Sequence, residues 1–283
     1  MTLAVVLALS LLVGVALGAL GGGGSILTVP ILVYVAGLEP KQAIATSLLV
    51  VAATSVAGAV THARAGRIRW RTGVLFGAGG MVGAFGGGIL GGYVPGRLLL
   101  IGFALMMVAT SIAMLRARRT EPAHARGDVA VVRALIDGVV VGLVTGLVGA
   151  GGGFLVVPAL ALLGGLPMAA AVGTSLIVIA MKSFAGLAGY LTSVSIAWDL
   201  AIGVTAAAIL GSVLGGWLAG RIPEARLRSV FGWFVLVMGA FVLLEQAAPP
   251  GGLLPGMVIL AAVGLVAGAW HVWTVRARST SVS

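Results

Sequence analysis

Seven stretches without a charged residue limit what this chain can fold into. Each is apolar on every face and is long enough for the roughly 20 residues that a helix needs to cross a bilayer. A membrane-spanning strand would instead alternate apolar and polar residues over about 10 positions. The pattern therefore predicts an all-α, polytopic transmembrane protein. The stretches are residues 2–38, 42–63, 72–96, 98–115, 138–181, 200–220 and 246–275.

The few charges lie in short tracts between these stretches. Charged residues make up 8% of the 283 residues, against roughly 25% in a soluble domain. The net charge of +10 comes from arginines in the tracts, where membrane proteins keep them in cytoplasmic loops. We therefore expect a lipid bilayer, and not nucleic acid, as partner. No cysteine is present, and the three histidines lack the spacing of metal ligands, so no cofactor and no metal are expected.

An internal repeat divides the chain. Adding 128 to a residue number maps residues 18–30 onto 146–158, and the match continues without a gap as far as Phe103 and Phe231. We predict one transmembrane repeat at 1–117 and a second at 131–246. A cytoplasmic linker at 118–130 joins them, and an extra transmembrane helix at 251–275 and a cytoplasmic tail at 276–283 follow.

Each repeat holds a Gly-rich stretch followed by three helices. The helices are expected at 41–62, 72–94 and 97–115, and at 169–190, 199–220 and 225–244. The Gly-rich stretches, 3–38 and 131–166, are too long for one span. A helix of 36 residues would measure about 54 Å, whereas the hydrocarbon core measures about 30 Å. Glycines midway, with a proline after them, predict a break. Each stretch is then either a hairpin of two short helices or one long broken helix.

The arginines indicate that the two repeats face opposite ways. The loop 61–71 carries four arginines, whereas its partner loop 189–199 carries no basic residue. Conversely, the turn 95–97 has one arginine, and the region equivalent to it has three. The positive-inside rule therefore places equivalent loops on opposite sides of the membrane, which predicts an inverted repeat. A hairpin, with its even number of crossings, followed by helix 169–190 supplies the odd number that this arrangement requires between the linker and 191–198, whereas one broken span followed by that helix does not.

The two glycine breaks are the first candidates for a binding site. A helix that begins after a break leaves its first backbone N–H groups unpaired and carries a partial positive charge at that end. Such an end binds anions, and glycine allows a ligand to approach the backbone closely. The alternative is that the glycines only permit close helix packing. The candidate residues are Gly21, Gly22, Gly23, Gly24, Ser25, Gly149, Gly151, Gly152 and Gly153.

Polar residues inside the apolar helices are the second candidates. The hydroxyls of Thr46-Ser47 and Thr174-Ser175 could donate to an anion, or they could bond back to their own helix. Lys182 is the only charge between Asp137 and Asp199, and its partner in the first repeat is Thr54. Because a buried ammonium is costly in a membrane, Lys182 is expected to contact an anion. The alternative is that its side chain snorkels to the interface.

The chain resembles the sulfite exporter TauE/SafE family at its paired motifs. These are GALGGGGSILTVP with ATSLLVVAATSVAG in the first repeat, and GLVGAGGGFLVVP with GTSLIVIAMKSFAG in the second. The resemblance implies a multi-pass permease of the bacterial inner membrane that moves sulfite, sulfonates or related organic anions. It also implies that the matching glycines and Thr-Ser pairs are substrate-site residues.

Together these features predict a secondary transporter of a small anion, bound near mid-membrane between the repeats, and not an enzyme. An anion channel and a carrier of a non-sulfur carboxylate are the alternatives. The sequence leaves open the direction of transport, the coupling ion and whether the chain forms a homo-oligomer.

Overall fold

The computed structural model describes residues 2–20, 23–116, 131–149, 152–162, 166–219 and 224–247. Every regular element within these ranges is helical, which confirms the predicted polytopic helical class. The predicted linker at 118–130, the helix at 251–275 and the tail lie outside the described residues. The α-helices are α1 (Thr2–Leu20), α2 (Thr28–Pro30), α3 (Pro40–Arg64), α4 (Trp70–Tyr93), α5 (Gly96–Arg116), α6 (Val131–Val148), α7 (Gly153–Leu162), α8 (Met168–Tyr190), α9 (Trp198–Ala219) and α10 (Glu224–Ala247).

Four of the described helices are long and apolar enough to cross a membrane. They lie in α3, α4, α8 and α9, the first two of the three helices predicted after the Gly-rich stretch of each repeat. Shorter apolar helices are found at Leu3–Gly18, Ser25–Val35, Gly96–Ile112 and Val235–Gln246. Within the described residues, the charge-free stretches therefore fold as helices of the kind that the sequence predicts.

The first Gly-rich stretch is a hairpin. After α1 the chain forms a return arm, residues 23–35, made of a 3-10 turn, the short α2 and a π-helical turn. Within this arm, Ile31 and Leu32 line the same narrow cleft as Ser10 and Val13 of α1. A continuous helix would place Leu32 about 33 Å from Ser10. The chain therefore folds back on α1, which excludes the single broken helix for this stretch.

The second Gly-rich stretch breaks at glycines that turn the chain. Gly149 has φ of 69° and Gly152 has φ of 60°, conformations that glycine adopts far more readily than other residues. The short helix α7 follows and packs against α8 and against the 3-10 turn of the first repeat's return arm. The tertiary structure thus brings the two glycine breaks close to each other.

The two repeats exchange partners in a regular way. α1 packs along α9, and α4 packs along α6. Gly14 lies against the backbone of Ala208, and Gly142 lies against the backbone of Gly80. These two contacts are the same contact under the offset of 128, with the repeats interchanged. The two repeats are therefore intertwined and contact each other through equivalent helices.

Equivalent helices run in opposite directions at the centre of this arrangement. Leu48 of α3 packs against Gly186 of α8, while Gly58 of α3 packs against Leu176 of α8. Residue numbers rise along α3 as they fall along α8, so the two helices are antiparallel. The orientation of each repeat in a bilayer stays a prediction, and these contacts support it.

Candidate functional site

Lys182 is buried far from either end of its helix. It lies 14 residues after Met168 and eight before Tyr190, which corresponds to about 21 Å and about 12 Å of helix. Its side chain is 1% exposed and packs beside Gly80 of α4, which leaves room for it. The side chain therefore does not snorkel to an interface.

The Lys182 ammonium has one hydrogen-bond partner in the described part of the chain. Its Nζ donates to Thr145 Oγ1 over 2.8 Å, and the Thr145 hydroxyl in turn donates to Val141 O over 2.7 Å. An ammonium has three N–H donors, so two are left for another acceptor. The carboxylate of α6, Asp137, is 3.9 Å from Arg133 at the start of that helix. The buried ammonium is therefore not neutralised by this acid.

The second glycine break lies against this ammonium. A side chain at Gly152 would collide with Lys182 Nζ and with Thr145, so only glycine fits there. Gly152 directly precedes α7, and its carbonyl accepts the N–H groups of Leu155 and Val156. The amino end of a helix carries a partial positive charge. Two positive groups thus meet in a buried place, and an anion between them would stabilise both.

The Thr46 and Ser47 hydroxyls are fully buried, and within the described residues neither has a hydrogen-bond partner. Ile44 lies three residues before Ser47, on the same helical face, and it contacts Gly149 of the second break. Ser47 is therefore on the face of α3 that is directed at this break. A buried hydroxyl without a partner costs about 1–3 kcal/mol, which a bound anion would remove by accepting the hydrogen bond.

The equivalent pair in the second repeat already has protein partners. Thr174 Oγ1 accepts the backbone N–H of Arg69 over 3.0 Å, just before α4 begins, and Ser175 Oγ donates to Val172 O over 2.7 Å. The residue equivalent to Arg69 is Ala197, and the Thr46 hydroxyl makes no such bond to it. The two Thr-Ser pairs are therefore not equivalent, and the structural alternative accounts for the second pair.

The remaining candidates divide into described and undescribed residues. Gly21, Gly22 and Gly151 lie outside the described residues. Gly23, Gly24 and Ser25 form part of the 3-10 turn, where Ser25 is buried and has a partner, and Gly153 is the first residue of α7. More of the site residues are therefore described at the second break than at the first.

Thr145 is a site residue that sequence reasoning missed. A signal for it was present in the repeat. Thr145 stands where the first repeat has Leu17, and Lys182 stands where it has Thr54. The two residues that form the buried hydrogen bond both depart from the repeat. Paired departures of this kind predict contact between the substituted residues.

Two further buried hydroxyls were not singled out by the sequence. Ser55 and Ser183 are equivalent under the repeat, are almost fully buried and have no partner in the described residues. Each lies close to the point where α3 and α8 cross. The polar groups of the site thus continue along the seam between these two helices.

This arrangement, in which two helix breaks lie close together and one of them contacts a buried lysine, is typical of multi-pass membrane transporters. Residues 6–242 match the model of the sulfite exporter TauE/SafE family, and the chain belongs to this family. The resemblance of the sequence motifs is therefore confirmed.

Several relatives bear the same description, a probable membrane transporter protein. The chain is 37% identical over 244 residues to one from Xylella fastidiosa (strain 9a5c), covering 84% of this chain and 93% of that protein. It is 30% identical over 261 residues to MJ0441 of Methanocaldococcus jannaschii, covering 84% and 96%. YdhB of Bacillus subtilis is 28% identical over 222 residues, covering 77% and 91%. No solved structure matches the chain.

Proposed function

We propose that this protein is a secondary transporter of a small anion, held where Lys182 and Thr145 meet the start of α7. The observation that carries the proposal is the buried ammonium, which has two N–H groups without an acceptor in the described residues and lies against Gly152. The family suggests sulfite, a sulfonate or another organosulfur or organic anion as the substrate, and the bacterial inner membrane as the location.

A carrier fits the site better than a channel does. The anion would lie between two glycine breaks supplied by two inverted copies, and secondary transporters recurrently place substrate at such an interface of repeats. The Ser47 hydroxyl of the first repeat would face the anion from the side of α3. Counterflow in proteoliposomes separates the two mechanisms, because a carrier exchanges labelled for unlabelled substrate and a channel does not.

Lys182→Met tests the proposal. The variant keeps an apolar side chain of similar length, so folding is expected to persist, but it removes the charge. Removal of one partner from a buried charge-assisted contact costs roughly 2–5 kcal/mol, which corresponds to a fall in anion affinity of about 30-fold or more. Binding and counterflow should be measured with purified protein against sulfite, thiosulfate, sulfonates and carboxylates.

Lys41→Met is the matched control, since these two are the only lysines in the chain. Lys41 lies in the first turn of α3, and its Nζ donates to Gly92 O over 2.6 Å. Its replacement should leave affinity unchanged. Unaltered anion binding in a folded Lys182→Met variant would contradict the proposed function.

A further inference from the structure

The charge of the site is supplied by one repeat alone. Lys182 is the single charged residue of its span, and the first repeat has Thr54 in its place. The Thr54 hydroxyl is already engaged by its own helix, because it donates to Val50 O over 2.7 Å and lies 3.2 Å from Val51 O. The first repeat therefore offers an anion no side-chain charge at the equivalent position.

Three linked positions carry this difference. The second-repeat residue Lys182 is accommodated by Gly80 and hydrogen-bonded by Thr145. Under the offset of 128, the equivalent of Thr145 is the apolar, buried Leu17 of the first repeat, and the equivalent of Gly80 is the methyl-bearing Ala208 of the second. Both repeats keep the glycine of the break, Gly24 and Gly152. The asymmetry is thus a set of substitutions around the cation, whereas the breaks themselves are shared.

A single buried cation determines how much negative charge a bound anion can carry. Bound to a singly charged anion, the Lys182 ammonium forms a neutral pair inside the apolar spans. A doubly charged anion would leave one negative charge in the same place, where an uncompensated charge is expensive. The helix ends at the breaks contribute only partial charges that act over about the first turn. They cannot replace a second ammonium.

We propose that the site selects anions with a single negative charge and rejects dianions of the same chemistry, and that the Lys182, Thr145 and Gly80 set determines this. The inference rests on the proposed function and gives it a substrate class. The anionic group of the substrate lies at the second break, and the rest of the substrate bears no further charge.

Matched sulfonates test this selection, because sulfonates stay ionised at any working pH. The purified protein should be titrated at constant ionic strength with ethanesulfonate, ethane-1,2-disulfonate and the neutral ethyl methyl sulfone, and with propionate against succinate as a carboxylate pair. We expect the monoanion of at least one pair to bind about tenfold or more tightly than its dianion, and the sulfone not to bind.

Two outcomes separate the inference from the function on which it rests. Equal or tighter binding of the dianions, with binding still lost in Lys182→Met, would overturn the charge selection and leave the anion transporter standing. If none of these anions binds, and the Lys182→Met variant behaves like the unaltered protein in every assay, both the charge selection and the proposed anion transport are contradicted.

A transplant of the Lys182, Thr145 and Gly80 set to the three positions equivalent to them under the repeat gives a gain-of-function test. The triple variant Leu17→Thr, Thr54→Lys, Ala208→Gly places a second ammonium at the position equivalent to Lys182 under the repeat. It should shift the preference towards the dianion by about tenfold or more. The same triple variant with Thr54→Met is the control and should keep the original preference. An unchanged preference in a folded Thr54→Lys triple variant would contradict the inference, and if that variant does not fold, the titrations of the unaltered protein still decide.

Discussion

At Lys182 the chain departs from its own symmetry. The ammonium is buried between α4, α6 and the start of α7, and its position is fixed by Thr145. The Thr145 hydroxyl directs its own proton to Val141 O and presents its lone pair to Lys182. Thr145 is therefore a positioning residue, because it holds the ammonium where its other two N–H groups are available to an anion.

Replacement of Thr145 should weaken anion binding more than it weakens the fold. Thr145→Val removes the acceptor but keeps the shape, and loss of a hydrogen bond to a charged group costs about 1.5–3 kcal/mol, or roughly 10- to 100-fold in affinity. The effect should appear in KM with little change in kcat, and Thr145→Ser should restore it. Transport assays in proteoliposomes give both constants.

Thr54→Val is the matched control for this prediction. The Thr54 hydroxyl also donates to a carbonyl of its own helix, but the hydrogen bond from Lys182 goes to Thr145 and not to Thr54. A Thr145→Val variant with the KM of the unaltered protein would show that the threonine only fills space.

The site was predictable only in part. The lone lysine is visible in the sequence because a charge inside an apolar span is costly and rare, and the glycine breaks are visible because the glycines cluster there in both repeats. The difference between Thr46 and Thr174 is not visible. Both occupy the same motif, and their hydroxyl partners are set by Arg69 and by neighbouring helices that lie far away along the chain.

At the scale of the elements, glycine determines how the helices pack. Side chains at Gly79, Gly83 and Gly87 of α4 would collide with the backbone of α6, and Gly211 and Gly215 of α9 stand in the same relation to α1. Small residues let helix backbones approach closely in a membrane, where no hydrophobic force holds helices together. Close packing therefore explains these glycines of α4 and α9, whereas Gly152 lies against the Lys182 ammonium.

Gly83→Ala should destabilise the protein, because its methyl group would meet Val139 O and Leu143 N of α6. Overpacking of this kind costs about 1–3 kcal/mol of stability, because the backbone atoms of α6 cannot rotate away as the end of a flexible side chain can. Gly86→Ala, three residues later in α4, is the control. Its methyl group would lie 3.9 Å from Leu143 Cδ1, in ordinary contact, so stability should be unchanged or slightly higher. Thermal unfolding in detergent measures both, and equal melting temperatures would contradict the packing role.

The helix limits were predicted within about two residues, whereas the form of the return arm was not. Helices expected at 41, 72 and 97 begin at Pro40, Trp70 and Gly96, because prolines and arginine tracts mark the ends. The return arm mixes 3-10, α and π turns over 13 residues. Such short segments take their geometry from the helices that surround them, and no local pattern specifies it.

On the scale of the whole molecule, the helices form two antiparallel sets. The numbers of the contacting residues increase together along α1, α3 and α9, so these three helices are parallel. The same holds for α4, α6 and α8. Trp70 and Trp217 therefore lie at one end, and Tyr93 and Trp198 lie at the other, all strongly exposed. Along α4 the two ends are about 34 Å apart, close to the thickness of a hydrocarbon core. Aromatic residues of this kind mark the two membrane interfaces.

The arginines lie predominantly at the end that carries Trp70. Arg64, Arg67, Arg69 and Arg71 connect α3 to α4 there, and α6 begins there with Arg133. By the positive-inside rule we predict that this end is cytoplasmic. The equivalent loop of the second repeat, 191–197, would then face the other side.

Cysteine labelling tests this orientation directly, because the chain has no cysteine of its own. Arg67→Cys and Ser195→Cys are equivalent under the repeat, and both positions are exposed. In right-side-out vesicles a membrane-impermeant maleimide should label Ser195→Cys at once and Arg67→Cys only after the membrane is permeabilised. Labelling of both from the same side would refute the inverted repeat.

The sequence by itself determined the membrane environment, the two copies and their family. Lipid tolerates neither charges nor unpaired backbone groups, so each membrane-spanning helix appears in the sequence as an apolar run with few or no charges. It also located the lone lysine and the breaks. The tertiary structure decided which residues surround that lysine. Thr145, Gly80 and Gly152 come from three segments and surround Lys182 only when the helices pack. Contacts between distant helices depend on that packing, and a periodic pattern along one helix does not specify them.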